Sequence, residues 1–100
     1  MAKRKIVWSS KSKIDLFQIL EYFYIRNGSK TYSVKLNSKI RRAISFLSNH
    51  PFLGLQSDTE NVKTLVEGDY AIFYQIDKEV IMITTTWDCR QNPNKLIIPK

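Results

Sequence analysis

Two basic side chains in the C-terminal half of the chain, Lys63 and Arg90, are best suited to bind an anionic group. The planar guanidinium of Arg90 could hold a phosphate or a carboxylate through two parallel hydrogen bonds. Asp88 lies two positions before Arg90, so an ion pair between these two side chains is the competing interpretation. Lys63 fits equally a solvated lysine on an edge strand, where its charge discourages pairing with another sheet. The sequence thus indicates a basic site and leaves these structural roles open.

Residues typical of metal or nucleophilic catalysis are scarce. His50 is the only histidine, and it precedes Pro51 at the predicted end of a helix, where interaction with the helix dipole explains it. Cys89 is the only cysteine, so no intrachain disulfide can form. No cysteines and histidines have the spacing of a metal site, and the serines and aspartates form no recognisable catalytic motif. We therefore predict no metal and no cofactor.

The composition narrows the classes of protein to consider. With 100 residues, of which 43% are hydrophobic, the chain can form one compact domain over residues 1–100 and has no room for a second. A net charge of +7 favours RNA, DNA or an acidic protein as partner. The basic start of the chain has no apolar segment behind it, and no run is long enough to span a membrane. We therefore predict a cytoplasmic protein without a membrane partner.

Two helices are predicted in the N-terminal half, after a weakly alternating strand at residues 5–9. The first covers residues 13–26, is capped by Ser10 or Ser12 and ends at Gly28. Its apolar stripe is formed by Leu16, Leu20 and Phe23, with Ile14, Phe17 and Tyr24 beside them. The second helix begins after Ser29 and ends before Pro51, with a core face of Tyr32, Leu36, Ile40, Ala43, Ile44 and Leu47. Together they predict a helical hairpin.

A basic stripe lies opposite the core face of the second helix. It is formed at positions i, i+4 and i+7 by Lys35, Lys39 and Arg42. Such a stripe is typical of solvated helix surface, and contact with an anionic partner is the alternative.

Three strands with tight turns are predicted at residues 62–66, 70–76 and 80–87, after a polar loop at 51–61. The two-residue period places Tyr74 with Tyr70, Ile72 and Ile76 on the core face of the middle strand. Ala71 and Phe73 then share the other face, where we expect an exposed Phe73 to anchor a partner protein. The predicted order β-α-α-β-β-β gives an α+β domain, with the helical hairpin on one face of a small, mostly antiparallel sheet.

This order of elements resembles that of the RelE/ParE family of bacterial toxins. The features that carry the resemblance are the helical hairpin, Pro51 followed by Gly54, Lys63 entering a strand, and residues 70–76 leading to a strand that ends near Arg90. The resemblance implies the toxin of a two-gene toxin–antitoxin module, bound by a small antitoxin. It also implies one of two targets, because RelE-like members cleave messenger RNA on the ribosome and ParE-like members poison DNA gyrase.

The resemblance further implies which groups a ribonuclease would need. The RelE branch carries an arginine just after the position of Tyr70, where this chain has Ala71, and a C-terminal tyrosine, which is lacking after Arg90. The scaffold would bring Arg90 beside Lys63 as a local positive site. We therefore favour a ParE-like toxin that binds a macromolecular target. A ribosome-dependent endoribonuclease using Lys63 and Arg90, or a basic nucleic-acid-binding module, are the alternatives.

Overall fold

The computed structural model of the chain describes residues 3–57 and 61–90. Its elements, in chain order, are β1 (Lys5–Trp8), α1 (Ser10–Asn27), α2 (Thr31–Phe46), β2 (Leu55–Gln56), β3 (Lys63–Glu67), β4 (Tyr70–Ile76) and β5 (Val80–Asp88). All predicted helices and strands are present. The two-residue strand β2 lies inside the predicted loop and was missed, because two residues are too few to show alternation. The C-terminal segment 92–100 lies outside the described residues.

The described strands form one sheet in the order β1-β5-β4-β3-β2. Strands β2 to β5 pair antiparallel with their neighbours, whereas β1 runs parallel to β5. The parallel pair is possible because the helical hairpin carries the chain from β1 to the start of the meander. The α+β class and the mostly antiparallel sheet are confirmed.

The main core lies between the helical hairpin and one face of the sheet. Its buried members are Leu16, Ile19, Phe23, Leu36, Ile40, Ile44, Leu47, Tyr70, Ile72, Tyr74, Ile81 and Ile83. The prediction of Tyr74 as a core residue is confirmed. The wide stripe predicted for α1 is wrong in part, because Ile14, Phe17 and Tyr24 are exposed and Ile19 is buried in their place. At 100° per residue, only the narrower arc of Leu16, Ile19 and Phe23 faces the sheet.

The helix ends show which side chains hold the hairpin. Ser9 is the N-cap of α1 and its hydroxyl accepts a hydrogen bond from the Ser12 amide, so the predicted cap at Ser10 or Ser12 is wrong. Gly28 ends α1 with a φ of 65°, the left-handed conformation expected there. Ser29 accepts a hydrogen bond from the Thr31 amide at 3.1 Å and thereby supports the start of α2. The link between the helices is thus short and hydrogen-bonded.

The far face of the sheet carries a second buried cluster, and here the predicted exposure is wrong. Ala71 is only 5% exposed and Phe73 only 7% exposed, and both cluster with the fully buried Val62. Trp87 packs against this cluster and lies directly opposite Ala71 in the β4–β5 register. Residue alternation alone predicts which side chains share a face and cannot show that a face is covered. Phe73 is therefore not a surface anchor in this structure.

Candidate functional site

Arg90 is bound by acidic and phenolic groups at the end of β5. Its Nε and Nη2 donate to the two carboxylate oxygens of Asp88 at 2.9 and 2.8 Å. Nη2 also donates to the Tyr70 hydroxyl at 3.0 Å, and Asp69 Oδ2 lies 4.0 Å from Nη1. The bidentate geometry expected for a phosphate is thus used on Asp88, so the competing sequence interpretation, an Asp88–Arg90 ion pair, is the one found.

Aromatic rings hold the Arg90 guanidinium against the helical hairpin. Its central carbon lies 5.4 Å from the ring centroid of Phe23 in α1 and 5.7 Å from that of Tyr70 in β4. Both distances fall within the range of cation–π attraction. The Arg90 side chain therefore joins the end of β5 to α1 as well as to β4.

The titration behaviour of this cluster follows from its contacts. Burial alone would raise the pKa of Asp88, but hydrogen bonds from the Arg90 side chain and backbone, together with its charge, lower it below the ordinary value. The hydrogen bond to Asp88 raises the pKa of Arg90 further. Burial, and then a hydrogen bond with Tyr32, raise the pKa of Tyr70. Tyr70 therefore stays protonated and Arg90 charged at neutral pH.

The pKa of the exposed Cys89 thiol is shifted by the same neighbours. Burial and the charges of Asp88 and Asp69 raise its pKa, so the nucleophilic thiolate is disfavoured. Within residues 3–57 and 61–90, no three metal-ligating side chains are grouped as a metal site would need.

A cleft of about 580 Å³ runs between α1 and the end of β5, beside the Arg90 cluster. Helix α1 contributes charged and polar groups from Asp15, Gln18, Tyr22 and Arg26. The strand side is formed by Thr86, Trp87, Asp88 and Arg90. Asp15 Oδ2 accepts hydrogen bonds from the Thr86 amide at 3.2 Å and from Lys11 Nζ at 2.9 Å, so it fixes α1 to β5. The mixed charges of the walls give the cleft no clear preference for an anion.

Lys63 lies at the opposite end of the β3–β4 pair from Arg90. Lys63 is opposite Tyr74, whereas Tyr70 is opposite Asp88 at the other end of β4. Four residues along a strand correspond to roughly 13 Å. The predicted joint site of Lys63 and Arg90 is therefore wrong. Strand β5 ends beside Tyr70, at the end of β4 that is farther from Lys63.

Lys63 instead contacts the turn that follows α2. Its Nζ lies 5.6 Å from the ring centroid of Phe52. Neither Phe52 nor its neighbour Leu53 was singled out from the sequence, since a loop residue shows no periodicity. The Pro51–Gly54 spacing noted in the sequence was the available indication that this loop has a defined shape.

The basic stripe on α2 is on the surface, as predicted. Lys35, Lys39 and Arg42 are all exposed, and none forms an ion pair with another residue of the described part of the chain. Contact of the stripe with an anionic partner stays a prediction.

The fold defines a class of small proteins in which a helical hairpin covers one face of a mostly antiparallel sheet. A solved chain of the chromosomal ParDE toxin–antitoxin system of P. aeruginosa has the same fold, with a TM-score of 0.75, 18% identity, and coverage of 84% of this chain and 94% of that one. The RelBE2 toxin–antitoxin complex of Mycobacterium tuberculosis gives a TM-score of 0.61 at 17% identity, over 85% and 96% of the two chains. YafQ of E. coli gives 0.51 at 16% identity, over 84% and 91%. At these identities, the similarity shows the fold alone.

Family membership rests on a match of the sequence itself. The family model described as the ParE toxin of the type II toxin–antitoxin system parDE matches residues 6–93. The chain therefore belongs to the ParE toxin family of type II toxin–antitoxin systems. The comparison with curated proteins gave no match. No helix in the described part of the chain is long and apolar enough to cross a membrane.

Proposed function

We propose that this toxin arrests growth by binding a protein target in the manner of the ParE branch, with DNA gyrase as the first candidate, and that it does not cleave RNA. The observation that carries this proposal is the separation of Lys63 from Arg90, at opposite ends of the β3–β4 pair. Cleavage of RNA through a 2′-hydroxyl needs a proton acceptor, a proton donor and positive charge gathered around one phosphate. The two basic residues predicted for this task do not converge.

The state of the individual groups supports the same proposal. The Arg90 guanidinium already binds the Asp88 carboxylate with two hydrogen bonds, so a phosphate would have to displace a charged ligand. Ala71 occupies the sheet position where the family resemblance leads us to expect an arginine in the RelE branch, and it is buried beside Trp87. A buried alanine provides no charge for a phosphate.

We also propose a cognate antitoxin as the second partner. Solved relatives of this fold are described as toxin–antitoxin systems or complexes, among them ParDE, RelBE2 and DinJ–YafQ. The net charge of +7 favours an acidic antitoxin segment through long-range attraction.

Induced expression with separate pulse-labelling of DNA and protein synthesis tests the mode of action. We expect DNA synthesis to stop first and purified toxin to inhibit supercoiling by purified gyrase. Incorporation of amino acids should fall only later. An early halt in translation together with cleaved messenger RNA would contradict the proposal and favour the endoribonuclease alternative.

A further inference from the structure

The turn after α2 presents three large apolar side chains to solvent. Phe52 is 70% exposed, Leu53 is 56% exposed and Leu55 is 73% exposed. We call these three residues the Phe52 turn. Single exposed apolar residues are common on protein surfaces, but Phe52 and Leu53 line one cleft and Leu55 follows them at the start of β2. Exposed patches of this kind mark contact surfaces for other molecules.

The Phe52 turn is held in shape by a buried tyrosine. Tyr74 is fully buried, and its hydroxyl donates to the Pro51 carbonyl and accepts from the Gly54 amide, both at 2.9 Å. A Cβ at position 54 would lie 2.6 Å from that hydroxyl and 2.7 Å from the Thr64 carbonyl oxygen, so the turn requires glycine here. The chain then enters β2, which pairs with β3. The apolar side chains are therefore displayed on a fixed backbone, which lowers the entropy cost of binding.

The apolar composition of the Phe52 turn favours a protein over a nucleic acid. Lys63 lies over the Phe52 ring and supplies one cation. Arg4, which shares a cleft wall with Phe52 and Leu53, donates its Nε to the Asp77 carbonyl at 2.8 Å. Nucleic-acid interfaces are rich in cations that bind phosphates, and leucine side chains have no aromatic face on which a base could stack. Two cations, Lys63 and Arg4, beside three apolar side chains fit an apolar protein pocket with carboxylates at its rim.

We propose that the Phe52 turn inserts into such a pocket on the toxin's protein target, an inference that rests on the proposed function. A projecting turn needs a concave surface, which a folded protein provides and a single helical or extended antitoxin segment does not. Phe52 is the central anchor, Leu53 and Leu55 widen the apolar contact, and Lys63 pairs with a carboxylate at the rim.

Growth arrest by full-length variants tests the proposal against a matched control. Phe52→Ala and Leu53→Ala should each raise the toxin level required for arrest by about tenfold or more, as expected for anchor residues. Phe17→Ala removes a similarly exposed phenylalanine, 63% exposed beside the groove between α1 and α2, and should leave the required level unchanged. Lys63→Glu should weaken arrest and Lys63→Gln should weaken it less. All variants should keep the wild-type thermal midpoint and the wild-type affinity for the antitoxin in calorimetry.

Three results would overturn the assignment. Arrest at wild-type levels by both Phe52→Ala and Leu53→Ala would show that the turn does not contact the target. Loss of antitoxin affinity with full growth arrest would make the turn an antitoxin contact. Loss of arrest in Phe52→Leu, with no effect of Leu53→Ala, would indicate stacking on a nucleic-acid base. None of these three results depends on whether DNA or protein synthesis stops first. An experiment that refutes target binding by the Phe52 turn can therefore be told apart from one that refutes gyrase as the target.

Discussion

The basic residues at the two ends of the β3–β4 pair have opposite surroundings. At one end, Arg90 is enclosed by the Asp88 carboxylate, the Tyr70 hydroxyl and the rings of Phe23 and Tyr70. At the other end, Lys63 contacts only the exposed ring of Phe52 among the interactions described above. The first end has its polar and charged groups paired within the chain, whereas the second leaves apolar surface and charge available to a partner.

This difference shows why residue type alone is a poor guide to a binding site. Arginine is the better anion ligand by geometry, and that same geometry lets a nearby aspartate occupy it. The less specific lysine lies beside a surface that nothing in the described part of the chain covers. The two ends therefore differ mainly in whether the basic side chain is available to a partner, and less in how well that side chain binds anions.

Removal of one hydroxyl at each end should give the largest contrast in stability. Tyr74→Phe leaves the Gly54 amide and the Pro51 carbonyl without their partner, so we expect a loss of about 1–3 kcal/mol. Tyr70→Phe removes one of several partners of Arg90, and a loss of about 1 kcal/mol or less is expected. Urea unfolding of both variants measures the difference. A larger loss for Tyr70→Phe would mean that the Arg90 end is the more rigid of the two.

Truncation of the two basic residues should give a smaller difference in stability, and here the larger loss should occur at the Arg90 end. Arg90→Ala leaves the half-paired Asp88 carboxylate behind and should cost about 1–2 kcal/mol. Lys63→Ala should stay within about 0.5 kcal/mol of wild type, because no hydrogen bond is lost. Asp88→Asn is the control for Arg90→Ala, since both break the same ion pair. Growth arrest that falls for Arg90→Ala alone would show that Arg90 also contacts the target.

The acid sensitivity of the Arg90 end should be the smallest measurable effect. Because the pKa of Asp88 is lowered in the folded protein, its ion pair stabilises the fold above the unfolded pKa of about 4 and is lost as the pH falls through the lowered value. The stability advantage of wild type over Asp88→Asn should therefore be present near neutral pH and shrink below about pH 4, by about 1 kcal/mol or less. A constant difference across this range would show that Asp88 does not titrate with folding.

Most of the fold could be predicted because its elements repeat. The α2 core positions from Leu36 onward recur at helical steps, β4 alternates, and glycine marks the end of α1, so local rules and the final fold agree there. Tyr32, predicted on the same core face, is 43% exposed. The errors lie where tertiary contacts decide. Ser9 is the cap in place of Ser10 or Ser12, and Phe17 is exposed. Strand β2 forms because its two residues pair with Lys63 and Thr64 of β3.

The candidate site was less predictable for the same reason. The sequence places Asp88 near Arg90, and this local pair was correctly foreseen as an alternative. The distance between Lys63 and Arg90 depends on strand register, which residue types do not reveal. Whether Phe73 or Phe52 is exposed depends on what covers each surface, and no periodicity encodes that. Partner binding by Ala71 and Phe73 stays a prediction, and the burial of both side chains argues against it.

The parallel pairing of β1 with β5 constrains how the toxin is made. Lys5 pairs with Val80 and Trp8 with Ile83, so the first strand has no partner strand until β5 has been synthesised. Until then, β1 is not joined to the sheet, and contacts this distant in sequence form slowly. A growing chain therefore cannot complete its sheet until β5 has been synthesised. On the proposed function, a cell has that interval in which to supply the antitoxin before the toxin has its complete fold.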